Sequence, residues 1–205
     1  MSLKKIVVLV SGSGSNFQSL IDNVHNKNGE IVLVISDTKD VYSFERAKKA
    51  DIPSELIEYA ALKENAFNEK LYQRLDEINP DLIVMAGFLK ILPQNFYERF
   101  TNKIINIHPS LIPSFCGKGY YGIKVHEAVI EYGAKFSGAT VHFADGGADT
   151  GAIIVQRVVE VFDDDTAKTL QERVLVVEHQ ILVEAVKLFL DEKLKIVGRK
   201  VTKIK

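Results

Sequence analysis

The 205-residue chain has one cysteine, no tryptophan and almost no net charge. A lone Cys116 excludes an intramolecular disulfide framework and a cysteine-rich zinc module. The balance of 26 Lys+Arg against 27 Asp+Glu argues against wholesale nucleic-acid binding, which shows as a basic excess. No stretch approaches the roughly 18 apolar residues of a membrane helix. The apolar run Ile6–Val10, behind the basic start Met1–Lys5, is too short for a signal-peptide core. Repeats, low-complexity tracts and flexible linkers are absent. The expectation is a single cytoplasmic domain over 1–205, long enough to bury roughly 70% of its unfolded surface without staples.

What is present is an alternation of short β-branched runs with helical patterns. Ile6–Val10, Ile31–Ile35, a segment near 54–58, Asp81–Met85 and Lys103–Ile107 read as strands, with amphipathic stretches between them. Continuous apolar runs suit strands buried on both faces. This half therefore predicts an open, mostly parallel, Rossmann-like α/β sheet with helices on both faces. After residue 120 the pattern changes. A helix near 121–132 precedes two strands, 137–143 and 153–161, joined by the loop 144–151, so antiparallel strands are expected in the C-terminal half. Leu170, Val174, Val177, Ile181 and Leu188 mark one face of a long helix starting near Thr166. Six of the last thirteen residues are Lys or Arg, in a terminal strand or hairpin.

Three places carry chemistry. Ser11-Gly12-Ser13-Gly14-Ser15-Asn16 joins the first strand to a helix, and small residues there let backbone N–H groups approach an anion. No Lys-Ser/Thr follows the last glycine, which excludes a Walker A loop. A monophosphate cradle, a dinucleotide site using Asp37 as its ribose acid, and a plain capped turn all remain open. Asn106 and His108 end a buried strand two residues apart, so they point to one face. An amide donor beside an imidazole suits oxyanion stabilisation and proton exchange; capping a turn is the alternative. Asp145-Gly146-Gly147-Ala148-Asp149-Thr150-Gly151 is an acidic glycine-rich loop that matters only if it folds back over that pair. His142 is a possible cleft residue. His25 and His126 read as surface or capping residues, and His179 as helix surface. No helical His pair or Cys pair supports a metal, and none is expected.

These segments resemble the formyltransferases that use 10-formyltetrahydrofolate, most closely the purine-synthesis branch that acts on glycinamide ribonucleotide. The resemblance runs from about residue 4 to 190. It rests on Ser11–Asn16, Met85–Leu92, Asn106–Pro113, Val141-His142-Phe143, Asp149-Thr150-Gly151 and Glu178-His179. It implies Asn106, His108 and Asp149 as catalytic residues. The substrate phosphate would lie on Gly12, Ser13, Gly14, Ser15 and Asn16, with Glu178 near the glycinamide. The folate would lie along Leu89, Lys90, Ile91 and Leu92 and the Ala144–Asp149 backbone, including Asp145. The phosphate half would occupy about 1–100, and the folate and catalytic half about 101–190. The implied reaction is direct formyl transfer to a primary amine through a tetrahedral intermediate. Both substrates would be small molecules, without nucleic acid or membrane, and the protein a monomer or homodimer. Lys90 stands where the family often has Arg, and Ala152 where it usually has Pro. Cys116–Gly122 replaces a Pro-Gly segment. Formyltetrahydrofolate deformylase and a non-catalytic nucleotide-binding module are the competing readings; methionyl-tRNA formyltransferase would need a further domain and a basic surface.

Overall fold

A computed structural model describes residues 2–204. It comprises two compact units, residues 2–105 and 106–204. In the first, four parallel strands run in the order β3 (Ser54–Leu56), β2 (Gly29–Ser36), β1 (Lys4–Val10), β4 (Leu82–Met85). Ile6–Val10 and Leu82–Val84 are fully buried, as their unbroken apolar runs require. Burying each such side chain contributes roughly 1.5–3 kcal/mol. The connecting helices are α1 (Ser15–Asn23), α2 (Tyr42–Lys49) and α3 (Tyr59–Ile78), the last broken at Lys63, where φ is 60°. A short helix, α4 (Gln94–Arg99), has no counterpart in the sequence reading. It follows Pro93 and is too brief to show a periodic stripe; its Phe96 stacks on Tyr72 of α3 at 5.7 Å.

Strand β5 (Ile104–His108) carries the chain into the second unit. There β6 (Phe136–Phe143) pairs antiparallel with β7 (Ile153–Glu160), the expected pair. The basic tail forms the hairpin β8 (Leu194–Val197) and β9 (Lys200–Lys203), and β9 adds parallel to β7. Helix α6 (Ala167–Leu190) packs on β6, β7 and α5 (Ile123–Tyr132). Thr166 caps α6 by accepting from the Thr169 N–H, which places its start where the sequence puts it. The fold is therefore α/β, mostly parallel, with antiparallel strands toward the C-terminus. Among the described residues no helix is long and apolar enough to cross a membrane.

Candidate active site

In the first unit the chain reverses strand order at β1 and β4. Ligands in open α/β sheets bind outside the carboxyl ends of strands at such a switch point. Two loops meet there. The Ser11 N–H donates to the Gly87 carbonyl at 3.1 Å, and the Ser11 hydroxyl accepts from the Leu89 N–H at 2.9 Å. The glycine loop and the 87–92 segment are thus tied together. Gly14 occupies the N-cap of α1 at φ 70°, and a Cβ there would lie 2.7 Å from the Ser43 Cβ. Gly14 brings no capping side chain and the first turn of α1 has no acid, so its amides and the positive end of its dipole suit an anion. Arg46 of α2 donates from Nε to the Ser13 carbonyl at 2.8 Å and from Nη1 to Gln18 at 2.9 Å. That cation beside the loop was not legible locally, because it comes from a different helix.

Leu89 and Ile91 are exposed, whereas Leu92 is buried. Lys90 places its ammonium 3.7 Å from Asp37 and 4.4 Å above the Tyr59 ring. Asp37 is buried in that pairing, which opposes the ribose role that a dinucleotide site would give it.

In the second unit the loop 144–151 does fold back. Asp149 Oδ2 lies 3.5 Å from His108 Nδ1, and its Oδ1 lies 3.6 Å from His142 Nε2. His142 Nε2 is also 3.1 Å from the Asn106 amide nitrogen. Asn106, His108, His142 and Asp149 therefore form one cluster, with both histidines buried. Two backbone groups from the next loop complete it. His108 Nε2 donates to the Phe115 carbonyl at 3.0 Å, and the Gly117 N–H donates to Asp149 Oδ2 at 2.9 Å. Asp145 does not join the cluster; it holds its own turn, accepting from Thr150 Oγ1 at 2.7 Å. Glu178 is buried on α6.

Burial lowers the pKa of His108, against the opposing pull of Asp149 and the Phe115 carbonyl. A carbonyl only accepts, so Nε2 carries a proton, while Nδ1 faces the Asp149 carboxylate. Burial alone would raise the pKa of Asp149; the hydrogen-bonding and charged groups around it, the Gly117 N–H among them, outweigh it and hold the carboxyl below its usual range. His126 is a departure from the sequence reading. It is buried on α5, and desolvation, helped by His108, pushes its pKa down to about 4. His25 lies beyond the end of α1 and accepts from the Ile31 N–H of β2 at 3.0 Å.

Thr140 and Gln156 escaped the sequence reading because their partners lie far off in the chain. The Thr140 hydroxyl donates to the Ser110 carbonyl at 2.6 Å and accepts from the Ile112 N–H at 3.1 Å. Gln156 Nε2 donates to both Thr140 Oγ1 and the Ile112 carbonyl at 2.9 Å. The loop leaving His108 is thereby pinned to β6 and β7. Thr140→Val strands these buried groups and is expected to cost about 1–3 kcal/mol in urea unfolding. Thr140→Ser, which keeps the hydroxyl, is expected to stay near the parent.

The model of the formyl transferase family matches residues 4–186. The chain belongs to the formyl transferase family. A phosphoribosylglycinamide formyltransferase of Haemophilus influenzae is 37% identical over 95% of this chain and 91% of its own length. The chloroplastic phosphoribosylglycinamide formyltransferase of Vigna unguiculata is 42% identical over 93% of this chain, which spans 62% of that longer protein. A crystal structure of glycinamide ribonucleotide transformylase 1 from Symbiobacterium toebii superposes with a TM-score of 0.92 at 37% identity, covering 99% of this chain and 95% of that one. Among formyl transferases, this chain is thus similar to those named for one acceptor.

Proposed function

We propose that this formyl transferase moves the formyl group of 10-formyltetrahydrofolate onto the primary amine of glycinamide ribonucleotide in purine synthesis. The observation that carries the reading is the convergence of Asn106, His108 and Asp149 in a chain whose full-length relatives bear that activity in their names. The amine attacks the formyl carbon, and the carbonyl oxygen takes the electron pair. The Asn106 amide donates to that oxyanion. The Nδ1 position of His108 accepts a proton, and the resulting imidazolium is held against Asp149 while its charge stabilises the oxyanion. The amine's proton passes by way of this pair to N10 of the folate as the carbon–nitrogen bond breaks. Formylated amine and tetrahydrofolate leave, with no covalent enzyme intermediate and no step that needs a metal.

The phosphate is assigned to the amides of Gly12–Asn16, supported by the acid-free first turn of α1 and by Arg46. Glu178 is assigned to the glycinamide side. The folate is assigned to Leu89–Leu92 with the backbone at Ala144 and Asp145; exposed Leu89 and Ile91 are the apolar surface a pteridine would cover. Lys90, engaged by Asp37 and Tyr59, would serve the folate mainly through its backbone. The proposal covers a single formyltransferase domain, cytoplasmic, monomeric or homodimeric, acting on two small molecules.

The test is a formyl-transfer assay with and without acceptor. Tetrahydrofolate is expected only when glycinamide ribonucleotide is present; release that ignores the acceptor would overturn the reading in favour of a deformylase. Glycinamide ribonucleotide at 100 times its Kd should also stabilise the protein by about 2.7 kcal/mol.

A further inference from the structure

We infer that His142 fixes the direction of the Asn106 side-chain amide, through a ring that donates from Nδ1 and accepts at Nε2. The inference rests on the catalytic reading of Asn106 and names the group that aims its donor.

His142 Nδ1 lies 2.9 Å from the Phe143 carbonyl. That carbonyl offers only lone pairs, so Nδ1 must be the donor. An amide nitrogen only donates, so the Nε2 facing Asn106 is the acceptor. Its hydrogen-bonding neighbour is the Asn106 amide nitrogen at 3.1 Å; Asp149 Oδ1, at 3.6 Å, lies beyond hydrogen-bond distance. One N–H of Asn106 is therefore spent on His142, and the other has a fixed direction. The flipped amide would set its oxygen against the Nε2 lone pair. His142 is 2% exposed, so solvent cannot relieve that clash.

The backbone is built to hold this ring. The pairing of β6 with β7 slips between Val141 and His142: Val141 faces Val155, whereas His142 faces Ile153. A bulge re-aims the side chain beside it. The slip falls at the residue that reaches Asn106, and the strand is secured directly afterwards by the Phe143 N–H on the Ala152 carbonyl at 2.9 Å. Orientation thus passes from the Phe143 carbonyl to the imidazole tautomer, and from there to the amide. His142 is a positioning residue here, acting through Asn106.

Two substitutions separate aim from bulk. His142→Asn keeps a donor near the Nδ1 position and loses the Nε2 acceptor, whereas His142→Gln places an amide oxygen near Nε2. His142→Asn is expected to lower kcat by about 10- to 100-fold, part of the roughly 100- to 1,000-fold that goes with a lost oxyanion donor. The KM of each substrate should stay within about threefold, the pattern of an interaction made in the transition state. His142→Gln should recover most of kcat. In an Asn106→Ala background, His142→Asn should cost nothing more, since the group it aims is gone. An undiminished cost in that background overturns the inference. Nitrogen-15 spectra of the His142 ring at neutral pH are expected to show a protonated Nδ1 and a bare Nε2; a proton on Nε2 overturns it independently. Near-normal turnover of Asn106→Ala by itself would instead sink the catalytic reading, and the ring spectra would still decide the tautomer.

Discussion

Replacing His108 with alanine is expected to lower kcat about 100- to 1,000-fold, roughly 3–4 kcal/mol in the barrier, and Asn106→Ala to do the same. His108 faces the Asp149 carboxylate and Asn106 faces its His142 neighbour, so each loss is expected to remove stabilisation of one developing oxyanion. Neither residue belongs to the apolar core, and both variants should give the parent circular dichroism spectrum and a cooperative melt. The effects should also overlap, the double variant losing less than the product of the two. His108 adds a sign. Burial holds its pKa below the usual imidazole range, so the neutral, proton-accepting ring persists on the acid side of neutrality. The acid limb of kcat/KM should therefore lie below the usual imidazole range and disappear in His108→Ala. Turnover near the parent value in either single variant would remove that residue from the mechanism.

The second large effect is structural. A Cβ on Gly151 would sit 1.6 Å from the Phe143 carbonyl oxygen and 2.8 Å from its carbon. Both are backbone atoms of β6, so the strand itself must move. Overpacking in a tight core costs about 1–3 kcal/mol and more where backbone is forced aside. Gly151→Ala is accordingly expected to lose at least about 3 kcal/mol, a fall in Tm of roughly 6–12 °C for a chain of this size. The same carbonyl anchors the His142 ring, so kcat should fall along with stability. Gly12→Ala, where an added Cβ meets nothing within 4 Å, should melt near the parent. Equal melting of the two variants would refute the crowding argument.

The strands β1, β2, β4 and β5 were readable because a doubly buried strand must be written as an unbroken apolar run. The α6 start was readable because its cap is a local event between Thr166 and Thr169. Asn106 and His108 share a face for the same local reason, the two-residue period of a strand. What the sequence could not show is which distant groups meet. The value of Asp149 depends on a loop returning 41 positions later to His108, and nothing in Asp-Gly-Gly-Ala-Asp specifies that return. Thr140 reads as an ordinary β-branched strand residue until Ser110, Ile112 and Gln156 are seen around its hydroxyl. His126 sits in a helical pattern with charged neighbours, so its burial came as a tertiary fact. Local pattern sets the element; long-range hydrogen bonding sets the site.

The Phe115–Gly117 turn has a practical consequence. Its first residue offers a carbonyl to His108 and its third offers an amide to Asp149, and between them stands the sole sulfhydryl of the chain, Cys116. Burial and the nearby Asp149 raise the pKa of that thiol, so alkylation should be slow while the turn is seated. A single native attachment point therefore lies between two residues that touch the proposed proton-handling pair. The rate of its modification becomes a clock for how often that turn lifts away from the histidine and the aspartate, readable by mass without any engineered label.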